Sequence, residues 1–470
     1  MVEALLTIQT VIWLMVVVMF LRSPRGSMFH PFAFYLAFHG IVFVLRPIME
    51  RAFNFDLVFY AMRFYPSEED MVRAILVSLL AFLVFTYACL GIDRTAPRFD
   101  RRFTVGFNRQ EWRAFMALCI LVLPIALYSA YLNIHQDDLT ASGNEEIGMQ
   151  RDEETGIATF TNTTGYVVDA EKMLGTLALM FIWGMRFRLI SFVPFAVYIA
   201  ERVYVGWSRW TIIMAFASLA LLYLFKTGRR WFPLRVVVVA IPIFLVFHQL
   251  GQDRGYYQAL FLGGTLPQED PIEKEKTWIQ KQDTPDFANL DFLTFVMDVV
   301  PEKSGTYTYF TQYLQLFTEP IPRILWAGKP FGPPIQWVNL NDYGNWIGWT
   351  LSLVGDGWMS GGWLGVIVTM LVVGYANARA HRWFWRGEAT HFKLLCYTSY
   401  VPLTLQWYRD GGITIFKFAL MAVMPVILWR GLVRIIGRSS EPGTSFQPGY
   451  GRPLAGPGGG RVIGPPAQRL

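Results

Sequence analysis

The chain is written in long apolar blocks separated by short polar stretches. At about 20 residues per membrane-spanning helix, such blocks supply ten to twelve spans. The pattern places them near 3–21, 29–48, 70–91, 113–134, 167–185, 189–205, 209–226, 235–250, 350–375, 394–408 and 413–430. The expected fold is all-α: a polytopic integral membrane protein of about eleven transmembrane helices with one large outer loop.

The polar stretches alternate in charge. Segment 22–28 has Arg22 and Arg25 and no acid; segment 92–113 has six arginines against three acids. Segment 226–235 has four bases and no acid, and segment 376–393 has four bases and one acid. These are the cytoplasmic loops by the positive-inside rule. Segment 135–168 has seven acids and only Arg151 as a base, and 251–349 has twelve acids and seven bases, so both are expected outside, with 50–69 as a short outer loop. Eleven spans then put the N-terminus outside and the C-terminus in the cytoplasm. Residues 1–250 carry spans one to eight, 251–349 the large outer loop, 350–438 spans nine to eleven, and 439–470 a tail with eight glycines and six prolines, expected to be disordered in the cytoplasm. A loop as long as 251–349 should carry short helices of its own, with amphipathic candidates at Leu290–Val300 and Thr306–Thr318. No internal repeat of fixed period is visible.

Composition sharpens the class. Of 470 residues, 53% are hydrophobic and 16% charged, where a soluble domain carries about 25% charged residues. Mean hydropathy is +0.33. This excludes a soluble enzyme, a disordered chain and a disulfide scaffold. The net charge of +6 is a topology signal and does not point to nucleic acid. Cys89, Cys119 and Cys396 fall inside apolar runs and read as small buried hydrophobes. Met1 to Leu21 lacks a basic leader and a small-residue cleavage site, so it reads as a retained first span.

The informative residues are cations on the outer side: Arg209, Arg254, Arg323 and Arg409, with Lys329 beside Arg323. A guanidinium binds phosphate in a planar fork and stays charged at any relevant pH. Several of them at one depth fit a lipid-linked phosphate or pyrophosphate. Taken singly, Arg409 could pair with Asp410, and Arg209 with Glu201 or a lipid phosphate. Arg46, Glu201 and Lys417 are charges elsewhere in the bundle. His30 and His39 fall in the second span, His381 and His391 in a cytoplasmic loop, and His135 opens an outer loop. Only His248 is placed to act as a base, and a capped helix end is its plainer role. No HExxH, DxD or Cys/His cluster and no phosphate-binding glycine loop appears, so no metal or nucleotide cofactor is expected. Asp356, in TLSLVGDGWMSGGWLG, is a carboxylate just inside the ninth span among Gly355, Gly357, Gly361, Gly362 and Gly365. At that depth a carboxylate is costly and marks a functional site, although small-residue spacing also serves helix packing alone.

At these residues the chain resembles the Wzy-type O-antigen polymerases. Three places carry the likeness: the SRW start of a mid-chain helix at Arg209, the run PIPRILWAGKP, and GDGWMSGGWLG in place of the family's Gly-Glu segment and Gly-x-x-Gly helix. It covers residues 200–375 by motif and the N-terminal third by hydropathy alone. Asp356 stands where the family usually has Glu, one methylene longer.

The resemblance implies the GT-C-type fold shared by O-antigen polymerases and ligases, and a metal-independent glycosyltransferase. Its substrate would be an undecaprenyl-pyrophosphate-linked oligosaccharide, polymerised into a surface or exopolysaccharide, and a chain-length regulator is an expected further partner. Arg209, Arg323 and Arg409 would hold the departing pyrophosphate and Asp356 would accept a proton from the attacking hydroxyl. Arg254, Lys329, Trp326 and Trp337 would bind substrate, with Trp278, Trp346 and Trp349 also covering the sugars. For at least about half of these tryptophans, anchoring at the membrane interface is the plainer role. An O-antigen ligase would place a histidine near the Gly-x-x-Gly helix, where Asp356 stands. A lipid-linked oligosaccharide flippase or transporter would spread charges through mid-membrane depth and show inverted repeats.

Overall fold

The computed structural model describes residues 1–55, 64–99, 103–134, 149–151, 158–160, 169–205, 209–234, 279–280, 283, 287–318, 321, 325–326, 333–344 and 350–440. Its elements run α1 (Val2–Arg22), α2 (Pro31–His39), a π turn (Gly40–Leu45), α3 (Arg46–Phe53), α4 (Glu68–Thr86) with a π turn (Tyr87–Gly91), α5 (Arg109–Ile134), β1 (Met149–Arg151) and β2 (Ala158–Phe160). There follow α6 (Lys172–Gly184), α7 (Val193–Val205), α8 (Arg209–Thr227), α9 (Asn289–Val299), α10 (Gln315–Thr318), α11 (Ser352–Trp385), α12 (His391–Asp410) and α13 (Gly412–Ser440).

Seven of the described helical stretches are long and apolar enough to cross a membrane: α1, α2–α3, α4 with its π turn, α5, Trp210–Thr227, α11 and Phe418–Gly437. The chain is a multi-pass helical membrane protein. Lipid satisfies no backbone group, so the spans are helices whose N–H groups pair internally. α1 shows the pattern: Val11, Leu14, Met15, Val18 and Met19 are exposed, as an apolar helix against lipid requires. Polar groups face inward instead. Gln9 of α1 is fully buried and donates to the Phe43 carbonyl and Ser78 Oγ, each at 3.1 Å, which ties α1 to the first π turn and to α4. Local chemistry sets the helix starts. Ser67 and Asp70 exchange capping hydrogen bonds at α4, and His30 Nδ1 accepts the Phe32 N–H ahead of Pro31 at α2.

Several expected boundaries are corrected. The span at 167–185 is a helix of 13 residues, about 20 Å long and short of a hydrocarbon core of about 30 Å. The span at 350–375 continues to Trp385 and takes in His381, expected in a loop, and that at 413–430 continues to Ser440. Leu290–Val300 is a helix, but it is buried almost all round and not amphipathic; Thr306–Thr318 is a turn followed by short helical pieces. The loop 135–168 holds a short antiparallel β1–β2 pair, Met149 opposite Phe160, in an otherwise helical chain. The span at 235–250 and the tail from 441 lie outside the described residues.

α12 is the central helix, packed against α2, α8, α11 and α13. The bundle has two distinct ends. At one, which we call the loop end, α9 packs against α4 and α11, and Asn289 joins α9 to Thr350 and to the Arg409 carbonyl. At the opposite, arginine-rich end, Arg25 donates to the Leu90 and Asp93 carbonyls and Arg230 to the Pro24 carbonyl.

Candidate functional site

The motif GDGWMSGG forms the first turns of α11 and then breaks it. Gly361 and Gly362 leave helical geometry, and Gly362 has φ +56°. That conformation suits glycine, and a side chain there would also meet the Tyr307 hydroxyl at 3.0 Å. The break lets a loop-end segment approach the helix: Thr308 donates through its backbone N–H to the Met359 carbonyl at 2.8 Å.

That segment delivers Gln312 and Tyr313 onto Asp356, which is 3% exposed. The Tyr313 hydroxyl donates to Asp356 Oδ2 at 2.5 Å, and Gln312 Nε2 donates to Oδ1 at 2.9 Å. The second amide hydrogen of Gln312 goes to Ser360 Oγ at 2.7 Å. The Gly412 N–H, from the turn after α12, donates to Oδ2 at 3.0 Å. Glycine at 412 is required by this approach, because a Cβ there would lie 2.2 Å from the Tyr313 oxygen. Burial, and after it the charge of Asp356, push the Tyr313 phenol above its usual range, so it stays a donor. All three described donors to Asp356 are neutral. Its carboxylate is held by hydrogen bonds and not by an ion pair among the described residues.

Arg409 is carried close by. It is the next-to-last residue of α12, two residues before Gly411, where a Cβ would lie 3.5 Å from Asp356. It pairs with Asp410 at 3.0 Å and stacks on Trp210 with 4.8 Å from Cζ to the ring. The plainer pairing read from the sequence is therefore present, beside a stacked guanidinium. Arg209 opens α8, and its side chain lies outside the described residues; so do Arg254, Arg323, Lys329, His248, Trp278, Trp346 and Trp349. Trp326 and Trp337 are described, and are 36% and 57% exposed.

The structure also gives partners to charged groups elsewhere in the bundle. Arg46 is buried and pairs with Asp283 at 2.6 Å and Asp291 at 3.6 Å. Burial raises the Asp291 carboxyl above its usual range, against the pull of Arg46. Glu201 pairs with Arg202, which also forks onto Glu171. Tyr313 and Gln312 carried no signal beyond membership of an expected loop helix, whereas Asn289 and Asp291 in an apolar run were a legible cue to inward-facing polar groups. No family model, curated protein or solved structure matches the chain.

Proposed function

We propose that this protein is a membrane-embedded glycosyltransferase that polymerises undecaprenyl-pyrophosphate-linked oligosaccharide repeat units. Its reaction would take place at the periplasmic face of the bacterial inner membrane, within an eleven-span GT-C-type fold. The observation that carries this reading is Asp356: a buried carboxylate with neutral donors, set between the loop-end segment and the turn that follows Arg409. Its charge is free to receive a proton from a hydroxyl. A guanidinium stacked two residues from that turn suits the anionic leaving group.

In the proposed reaction an acceptor sugar hydroxyl attacks the anomeric carbon of the lipid-linked glycan. A carbon–oxygen bond forms there as the bond to pyrophosphate breaks. The hydroxyl proton passes to Asp356, and the electron pair leaves with the pyrophosphate, where Arg409, together with Arg209 and Arg323, offsets the growing charge. Tyr313 and Gln312 occupy both carboxylate oxygens. The acceptor hydroxyl must displace at least one of them. Arg254, Lys329, Trp326 and Trp337 serve the sugars and phosphates in this scheme.

Glycan length in cells lacking the protein tests the reading. A single repeat unit capping the surface lipid is expected. Absence of any surface glycan would instead indicate a ligase or a flippase. The orientation is tested separately by reporters: one after Arg102 should report cytoplasm, and one within 144–154 the periplasm.

A further inference from the structure

At the arginine-rich end, three residues remote in sequence meet inside the protein. His30 precedes α2, Asp93 follows the π turn after α4, and His381 lies in the last third of α11. All three are fully buried, and the two imidazole rings stand 4.2 Å apart. His381 Nδ1 contacts Asp93 Oδ2 at 2.5 Å. One nitrogen of each imidazole, Nε2 of His30 and Nε2 of His381, is buried without a hydrogen-bond partner among the described residues. A buried polar atom left unpaired is costly, and ligation through Nε2 would give that of His30 a partner.

We propose that His30, Asp93 and His381 form a binding site for a divalent transition-metal ion of the zinc class. The three residues each offer a ligand atom, and these atoms lie within 4.8 Å of one another. Zinc takes nitrogen and oxygen ligands at about 2.0–2.2 Å, so a tetrahedral site holds its ligand atoms about 3.2–3.6 Å apart. The set fits once Asp93 and His381 part by roughly 1 Å around the ion and His30 closes by a similar amount. His30 Nδ1 now accepts the Phe32 N–H, which puts its proton on Nε2; ligation through Nε2 moves that proton to Nδ1 and gives up the capping bond. The ion takes the place of the proton between His381 and Asp93.

Arg25 donates to the Leu90 and Asp93 carbonyls and Arg382 to the Ile92 carbonyl, and Arg382 Nε also pairs with Asp93 Oδ1 at 3.6 Å, which leaves Asp93 Oδ2 to the ion. The Thr95 N–H holds Oδ1 at 2.9 Å. Borderline nitrogen and oxygen donors suit zinc better than calcium or magnesium, which prefer oxygen alone. Asp356 and His381 are 25 residues apart on α11, roughly 35 Å along a helix, so this ion takes no part in chemistry at Asp356. It would staple three chain segments at the far end of the bundle.

The test uses the full chain in detergent, stripped with EDTA, reloaded with Zn2+ and freed of excess. About one zinc per chain is expected by elemental analysis, with a Tm that rises on reloading. His30→Asn keeps a side-chain acceptor for the Phe32 N–H, and His381→Asn and Asp93→Asn remove the other ligands; each should lower retained zinc to about a tenth or less and abolish the Tm rise. Should a variant fail to fold, Co2+ added to the stripped wild type should give the visible absorption of a four-coordinate site. Wild type that retains no zinc and shows no cobalt absorption overturns the proposal. So do folded variants that retain as much zinc as wild type.

Discussion

The hydroxyl of Tyr313 donates to Oδ2 of Asp356 across 43 residues of sequence. With the bonds from Thr308 to Met359 and from Gln312 to Asp356 and Ser360, it ties the loop-end segment to the broken helix α11. A hydrogen bond to a charged group is worth about 1.5–3 kcal/mol. Tyr313→Phe deletes the donor and keeps the ring. It should lower stability by an amount in that range, read as a fall in Tm of the purified protein. A variant as stable as wild type would mean that the Gly412 N–H alone satisfies that oxygen.

Asp356 itself separates chemistry from architecture. A proton acceptor there should tolerate Glu, the residue usual in the family it resembles, and should not tolerate Asn. Loss of general-base help costs about a hundred- to ten-thousand-fold in rate. Asp356→Asn still accepts from Tyr313 through its carbonyl, so the variant should accumulate in the membrane yet make no long glycan. An Asn variant that makes long chains removes Asp356 from the mechanism.

Arg202 tests the buried charges near α6. It is 4% exposed and holds both Glu171 and Glu201, while Glu171 also accepts from Asn133. Arg202→Ala strands Glu171 in a desolvated site and should destabilise by roughly 3–5 kcal/mol. Membrane abundance should collapse, in contrast to Arg101→Ala, which should leave abundance and glycan length unchanged. Arg202→Met with Glu171→Gln should recover much of the loss, since the pair is removed together.

His391 gives a pH signature. It opens α12 with Nδ1 at 2.9 Å from Glu111 and Nε2 at 3.0 Å from the Thr104 carbonyl. Only the imidazolium can donate to both. Burial lowers the His391 pKa, but the Glu111 carboxylate and the Thr104 carbonyl outweigh it, and the net shift is upward. The stabilisation is full below the unfolded value of about 6.5 and is lost as pH rises through the higher folded value. Wild type should therefore lose Tm relative to His391→Gln over that interval. Parallel Tm curves for the two proteins would show that His391 folds neutral.

Membrane class and the helices α1, α2–α3, α4, α5 and α8 were legible in the sequence because the hydrophobic effect acts on composition and run length. Asp356 was legible for the same reason, as a carboxylate where hydrocarbon should be. The lengths of α6, α11 and α13 were not, because a helix buried in protein or extending past the lipid is not limited by bilayer thickness. What surrounds Asp356 also needed the fold: Gln312, Tyr313 and Gly412 reach it only through the turn at Gly361–Gly362 and the end of α12. The meeting of His30, Asp93 and His381 is a clearer case still. Their spacing along the chain carries no signal, because side chains from three separate segments become neighbours only when α2, α4 and α11 pack together.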